Sequence, residues 1–204
     1  MIESRIEPIG VLRKDLLKQV AHYLKASDGF TQVDLFLIGA TNRTIAQVHG
    51  FRDLILAKNF LCAGAILRMQ IDTSMRIFGL SLVPSAEEPC GQLLAGRRYN
   101  QLKDRNGKRL NDSFLRDKLS QHVAWINSVY ESTSDLVHLS PRHFYNSIER
   151  IDETGNVSFR ISGQDKPVPD EQYFEIIDGF YAATELNRDL ILASLRPVAR
   201  ETGQ

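Results

Sequence analysis

From Phe60 to Val83 the chain is apolar around most of a helical circumference, yet three charges interrupt it: Arg68, Asp72 and Arg76. That zone constrains the fold more than any other feature. In lipid each charge would cost roughly 2.5–3.5 kcal/mol on insertion scales, so a membrane span is not expected. A helix apolar on nearly all sides belongs instead at the centre of a water-soluble bundle. The i, i+4, i+8 spacing places the three charges on one stripe. Buried charges need partners, because an isolated ion is costly in a low dielectric. Asp72 is spaced to reach both arginines. The stripe reads either as an ion network holding helices in register or as an anion site with two guanidiniums oriented by a carboxylate.

Around this helix the periodicity predicts others. Val11, Leu12, Leu16, Leu17, Val20 and Leu24 predict a helix over 11–25, broken at Ser27-Asp28-Gly29. A long helix is expected over 31–58, with a break or kink near Gly50. The apolar zone predicts a helix over 59–83, ended by Pro84. A more polar helix over 87–103, a short one capped by Asn111-Asp112, and one over 122–138 follow. Val157, Phe159 and Ile161 then alternate with polar residues, which is strand periodicity, and 145–151 reads as a partner strand or a helix tail. Pro167 and Pro169 close the excursion, and 170–195 predicts a last long helix. The expected fold is all-α: an antiparallel bundle of five to six helices, one domain over 1–204, with a β-hairpin insertion near 145–168.

The chain has 204 residues and balances 25 Lys and Arg against 25 Asp and Glu. Zero net charge excludes a general polyanion-binding coat. It hides a sorted distribution. Arg97, Arg98, Lys103, Arg105, Lys108 and Arg109 form a basic stretch suited to phosphates, opposed there only by Asp104. The chain from Glu149 to Asp178, Asp165 included, is rich in acids, and the two patches could meet across a homodimer. Two cysteines, Cys62 and Cys90, are too few for a disulfide framework. With no signal peptide apparent, a cytoplasmic location is expected. Cys62 is expected in the core and Cys90 at the surface.

A second cluster combines Tyr130, Ser134 and His138, again at i, i+4, i+8, with Asp135, Ser140, Arg142 and His143. A histidine titrating near neutrality is the usual general acid or base. The alternative reading is a capped helix end with a hydrogen-bonded histidine. No metal is expected: His138 and His143 are five apart, and there is no His-Glu-x-x-His or cysteine pair. Phosphate-loop, dinucleotide and nucleophile-elbow motifs are absent, so no cofactor is expected.

The stretch Asn59-Phe60-Leu61-Cys62-Ala63-Gly64-Ala65-Ile66-Leu67-Arg68-Met69-Gln70-Ile71-Asp72 resembles the A-x-x-L-L-R-x-x-x-E/D helix of bacterial helical proteins. Tyr130…Ser134-Asp135-Leu136-Val137-His138-Leu139-Ser140 resembles their second block. These proteins are similar to HEPN domains, helical bundles that are often dimeric and occur in toxin–antitoxin, abortive-infection and CRISPR-associated ribonucleases. The likeness covers about residues 30–145. It implies metal-independent RNA cleavage, with an Arg four to six residues before a His. The His would move a proton and the Arg would stabilise the phosphorane. Arg43 to His49 has that spacing, and so does Arg116-Asp117 to His122, where Asp117 fits the polar position. His138 has no such arginine before it, so a site there must combine helices. Arg68 and Arg76 would bind phosphate, Asp72 would orient them, and His138 would be the acid or base, with His143 or Tyr130 assisting. The alternative is a non-catalytic dimeric module that binds a nucleotide, RNA or a protein partner.

Overall fold

A computed structural model describes residues 1–164, 166 and 169–195; the Arg142 side chain, Asp165 and Pro167 lie outside the described residues. The fold is an all-α bundle with one small antiparallel hairpin. Among the described residues there are eight α-helices rather than five or six. They are α1 (Ile2–Ala26), α2 (Gln32–Leu56), α3 (Phe60–Gly79), α4 (Glu87–Leu94), α5 (Asp112–Ser120), α6 (Ile126–Val137), α7 (Pro141–Ser147) and α8 (Phe174–Ser194). Strands β1 (Ile148–Ile151) and β2 (Val157–Phe159) lie between α7 and α8.

The apolar helix is central, as its composition requires: α3 packs against α2, α5, α6 and α8. Its start is fixed by Asn59, whose side-chain oxygen accepts from the Cys62 N–H, and a 3-10 turn over Leu80–Leu82 ends it ahead of Pro84. α1 begins well before the expected start, with Pro8 inside it, because Ile2, Ile6 and Ile9 continue the buried stripe of Leu12, Leu16 and Val20. Val11 and Leu17 face solvent. α2 opens on a capping box, in which Thr31 and Asp34 bond each other's backbone N–H, and runs unbroken through Gly50. The helix expected over 87–103 is only α4, because the chain from 95 folds into a turn and a loop.

Short connections make α1, α2 and α3 alternate in direction. α6 is antiparallel to α3: a Cβ on Gly64 would meet Leu136, while Arg68 lies on Tyr130. α8, however, runs parallel to α3. Leu67 lies against Gly179, Gln70 bonds Thr184, and Ser74 bonds Asn187, both partners ascending together. The excursion through α7 and the hairpin is what permits this. It starts and ends at the N-terminal end of α3, so α8 sets out from the same end as α3.

That α3–α8 seam carries a buried polar layer. The Gln70 amide donates to Thr184 Oγ1 at 3.0 Å, Ser74 Oγ donates to Asn187 Oδ1 at 2.6 Å, and Asn187 Nδ2 donates to the Gln70 carbonyl at 3.2 Å. All four side chains are fully buried. The layer matches only one register of the two helices, because a slip by a turn would strand each group without its partner. Phe51 and Phe180 stack beside it with centroids 3.8 Å apart.

Candidate functional site

The charged stripe of α3 divides into two groups. Arg76 donates to Asp72 at 3.0 Å and to Asp112 of α5 at 2.6 Å, and its guanidinium lies 4.8 Å from the Tyr99 ring. Burial works against the Arg76 charge, but the two carboxylates outweigh it and raise its pKa above the ordinary arginine value. The Tyr99 hydroxyl donates to the Arg76 carbonyl at 2.6 Å, and burial raises its pKa. Arg68 does not join them. Its guanidinium lies 3.5 Å from the centroid of the Tyr130 ring, and Arg116 of α5 lies 5.2 Å from the same centroid. Arg116 also reaches Asp117 at 3.3 Å and Glu131 at 3.7 Å. Three arginines thus face Asp72, Asp112, Asp117 and Glu131. This is a charge-compensated seam joining α3, α5 and α6, with the chemistry of a structural network.

His138 does not approach this seam. It caps the C-terminal end of α6 and is exposed. Because α6 opposes α3, the eight residues from Tyr130 to His138 run about 12 Å away from Arg68, and Arg76 lies about 12 Å in the other direction. The structure therefore does not bring Arg76 and His138 to one place. The sequence-matched pairs separate as well. Arg116 points to Tyr130, whereas His122 packs on Phe78 with ring centroids 5.6 Å apart. Arg43 donates to Thr73, and His49 meets Arg13.

The basic stretch folds as an ordered loop over the opposite end of α3. Arg105 donates to the Ser81 and Leu82 carbonyls, where a cation suits the helix C-terminus. Arg97 bonds Gln92, and Lys108 lies 4.5 Å from the Phe114 ring. Arg98, Lys103 and Arg109 are exposed.

His143 has a different setting. Its Nδ1 accepts from the Ser140 backbone N–H at 3.2 Å, closing the cap of α7. In the neutral ring the proton therefore sits on Nε2. His143 lines a cleft of about 740 Å³ together with Asn59, Cys62, Arg160, Lys166 and Glu175. The cleft lies where α3 and α8 begin. Phe60 and Tyr173 meet edge to face at 6.0 Å, and Lys58 bonds Asp170 at 3.1 Å, which holds the two helix starts together. Lys58 itself turns the chain with a φ of 56°. Among the described residues Arg160 and Lys166 have no carboxylate partner and the Leu61 amide has no acceptor. Among the described residues the cleft thus offers two cations, a histidine and the positive end of a long helix against the carboxylate of Glu175.

Cys62 is exposed and lines this cleft, while Cys90 is buried, the reverse of both expectations. Burial, with Glu87 adding to it, pushes the Cys90 thiol up to about 11. Sequence reasoning missed Arg160 and Lys166 because what unites them with His143 is the parallel return of α8, which no local pattern encodes. Among the described residues no three His, Cys, Asp or Glu side chains gather as a metal site, and no helix is long and apolar enough to cross a membrane. Compared with protein-family models, curated proteins and solved structures, the chain has no match.

Proposed function

We propose that the protein is a non-catalytic binding module for a phosphate-bearing ligand, a nucleotide or an RNA end, held in the cleft at the start of α3 and α8. One observation carries this reading: His143, Arg160 and Lys166 share a cleft of about 740 Å³ with the N-terminus of α3. That volume suits a nucleotide-sized ligand. An arginine offers phosphate a bidentate fork, and the helix start adds backbone N–H groups. The resemblance to HEPN domains is the reason for including RNA among the ligands. The separation of His138 from Arg76 favours binding over cleavage, since proton transfer and charge stabilisation must act on the same phosphate.

Calorimetric titration with inorganic phosphate, ATP and a short 5′-phosphorylated RNA tests this. Binding of at least one probe, weakened about tenfold in Arg160→Ala and unchanged in Arg68→Ala, is expected. Failure of all three probes to bind, or equal affinity in Arg160→Ala, would overturn it. RNA turnover in EDTA that disappears in His143→Ala would overturn the non-catalytic part and make the cleft an active site.

A further inference from the structure

The basic loop beyond α4 is a closed turn that sets two cations side by side. Lys103 and Arg109 face each other in an antiparallel bridge. The Asp104 N–H donates to the Lys108 carbonyl at 2.8 Å, and the Leu110 N–H donates to the Leu102 carbonyl at 3.0 Å. These bonds flank Lys103 and Arg109, which makes them a non-hydrogen-bonded pair, with Cβ atoms about 4.5–5.5 Å apart and both side chains on one face. Leu102 and Leu110 alternate to the other face and are buried, whereas Lys103 and Arg109 are exposed. The turn itself is held by other groups. The Asp104 carboxylate accepts from the Asn106 and Lys108 N–H groups at 2.9 and 2.8 Å, and Gly107 supplies the positive φ of 81°. Arg105 fastens the turn to the end of α3 through the Ser81 and Leu82 carbonyls. Asp112 and Asp117, which follow in the chain, bond Arg76 and Arg116. Among the described residues neither Lys103 nor Arg109 has a carboxylate partner.

We infer that Lys103 and Arg109 form a binding site for a phosphate dianion, free or at the end of a monoester. Like charges directly opposite each other across a strand pair destabilise it, so this pair does not serve the fold of the loop. An anion seated between the two side chains reverses the sign of that interaction. The Arg109 guanidinium can meet two phosphate oxygens with its fork, and the Lys103 ammonium adds a point charge. The charge of the ligand follows from the pair: a phosphate monoester carries about −1.5 to −2 near neutrality and matches two cations, whereas a carboxylate or a phosphodiester leaves one of them unmatched. Recognition stops at the phosphate group. Tyr99, the aromatic ring in this stretch, lies against the Arg76 guanidinium and bonds the Arg76 carbonyl, so it is not a platform for a base. The site lies at the opposite end of α3 from the cleft and is independent of what the cleft binds.

Amide NMR titration of the full chain tests it, at about pH 8 and constant ionic strength, with inorganic phosphate, glycerol 3-phosphate and dimethyl phosphate as probes. The amides of 102–110 should shift saturably with the first two, with Kd of about 1–10 mM, and about fivefold or more weakly with the monoanionic diester. The amides of 59–62 and 160 report the cleft separately. Lys103→Glu should abolish the shifts over 102–110 and raise Tm by about 1–3 °C, because it turns a like-charge pair into an ion pair. Arg109→Gln, which adds no charge, should weaken binding about fivefold or more. Lys14→Glu on the exposed side of α1 makes the same change in net charge as Lys103→Glu and should leave binding at 102–110 as in the wild type. Absence of a saturable shift over 102–110 with both dianions would overturn the inference. So would equal affinity for dimethyl phosphate, or a Lys103→Glu chain that binds like the wild type or melts below it.

Discussion

The α3–α8 seam and the hairpin treat polarity in opposite ways. In the seam, Gln70, Ser74, Thr184 and Asn187 are polar and fully buried, each bonded across the helix pair. In the hairpin, Val157, Phe159 and Ile161 are apolar and exposed. Buried polar groups are tolerated where every partner is in place, and they then select one register. Exposed apolar groups gathered on one face are what a second surface would cover. Across the seam every one of the four side chains is bonded, although the Gln70 Oε1 finds no partner among the described residues, whereas the hairpin leaves its apolar side chains in solvent.

The same substitution in the two regions separates them most widely. Phe180→Ala removes the ring stacked on Phe51 and should lower unfolding free energy by about 3–5 kcal/mol, measured by urea titration at low protein concentration. Phe159→Ala under the same conditions should cost no more than about 1 kcal/mol, since Phe159 is 54% exposed. A large loss from Phe159→Ala in the monomer would show that the hairpin supports the single chain, and the contrast would fail.

A smaller effect tests the polar layer. Asn187→Ala leaves the Ser74 hydroxyl without its acceptor across the seam and should cost about 1–3 kcal/mol. Gln47 is buried in α2 with neither amide atom bonded among the described residues, so Gln47→Met should be close to neutral or stabilising. If Asn187→Ala were also neutral, the layer would not be what holds α8 in register.

Much of this was legible from residue spacing, and the reasons mark where it stopped. The apolar circumference of α3 predicted its central place because burial on all sides is a local property of the sequence. The caps at Asn111 and the alternation at Val157–Ile161 were readable for the same reason. The stripe of Arg68, Asp72 and Arg76 was visible, but its division was not, because Tyr130, Asp112 and Tyr99 reach it from other helices. Periodicity placed Cys62 on a helix correctly. It did not show that this first turn of α3 borders a cleft, which depends on α7 and β2 arriving from about 80–100 residues later in the chain.

The smallest effect concerns the turn of the hairpin. Asp152 accepts from the Thr154 hydroxyl at 2.7 Å and from the Asn156 backbone N–H at 2.9 Å, and these bonds pull its pKa down to about 2. A depressed carboxylate stabilises the fold above its unfolded value near 4 and loses that contribution as pH falls towards 2. The loss should be confined to the hairpin, because among the described residues Asp152 bonds within its own turn and the α3–α8 seam contains no titrating group among its four polar side chains. Acid titration followed by NMR should therefore shift the amides of 152–156 between about pH 4 and 2 while those of α3 and α8 hold their positions. Asp152→Asn should abolish that local transition. Simultaneous movement of the Gln70 and Asn187 amides would instead mean that hairpin and bundle unfold as one unit, and the comparison between them would lose its basis.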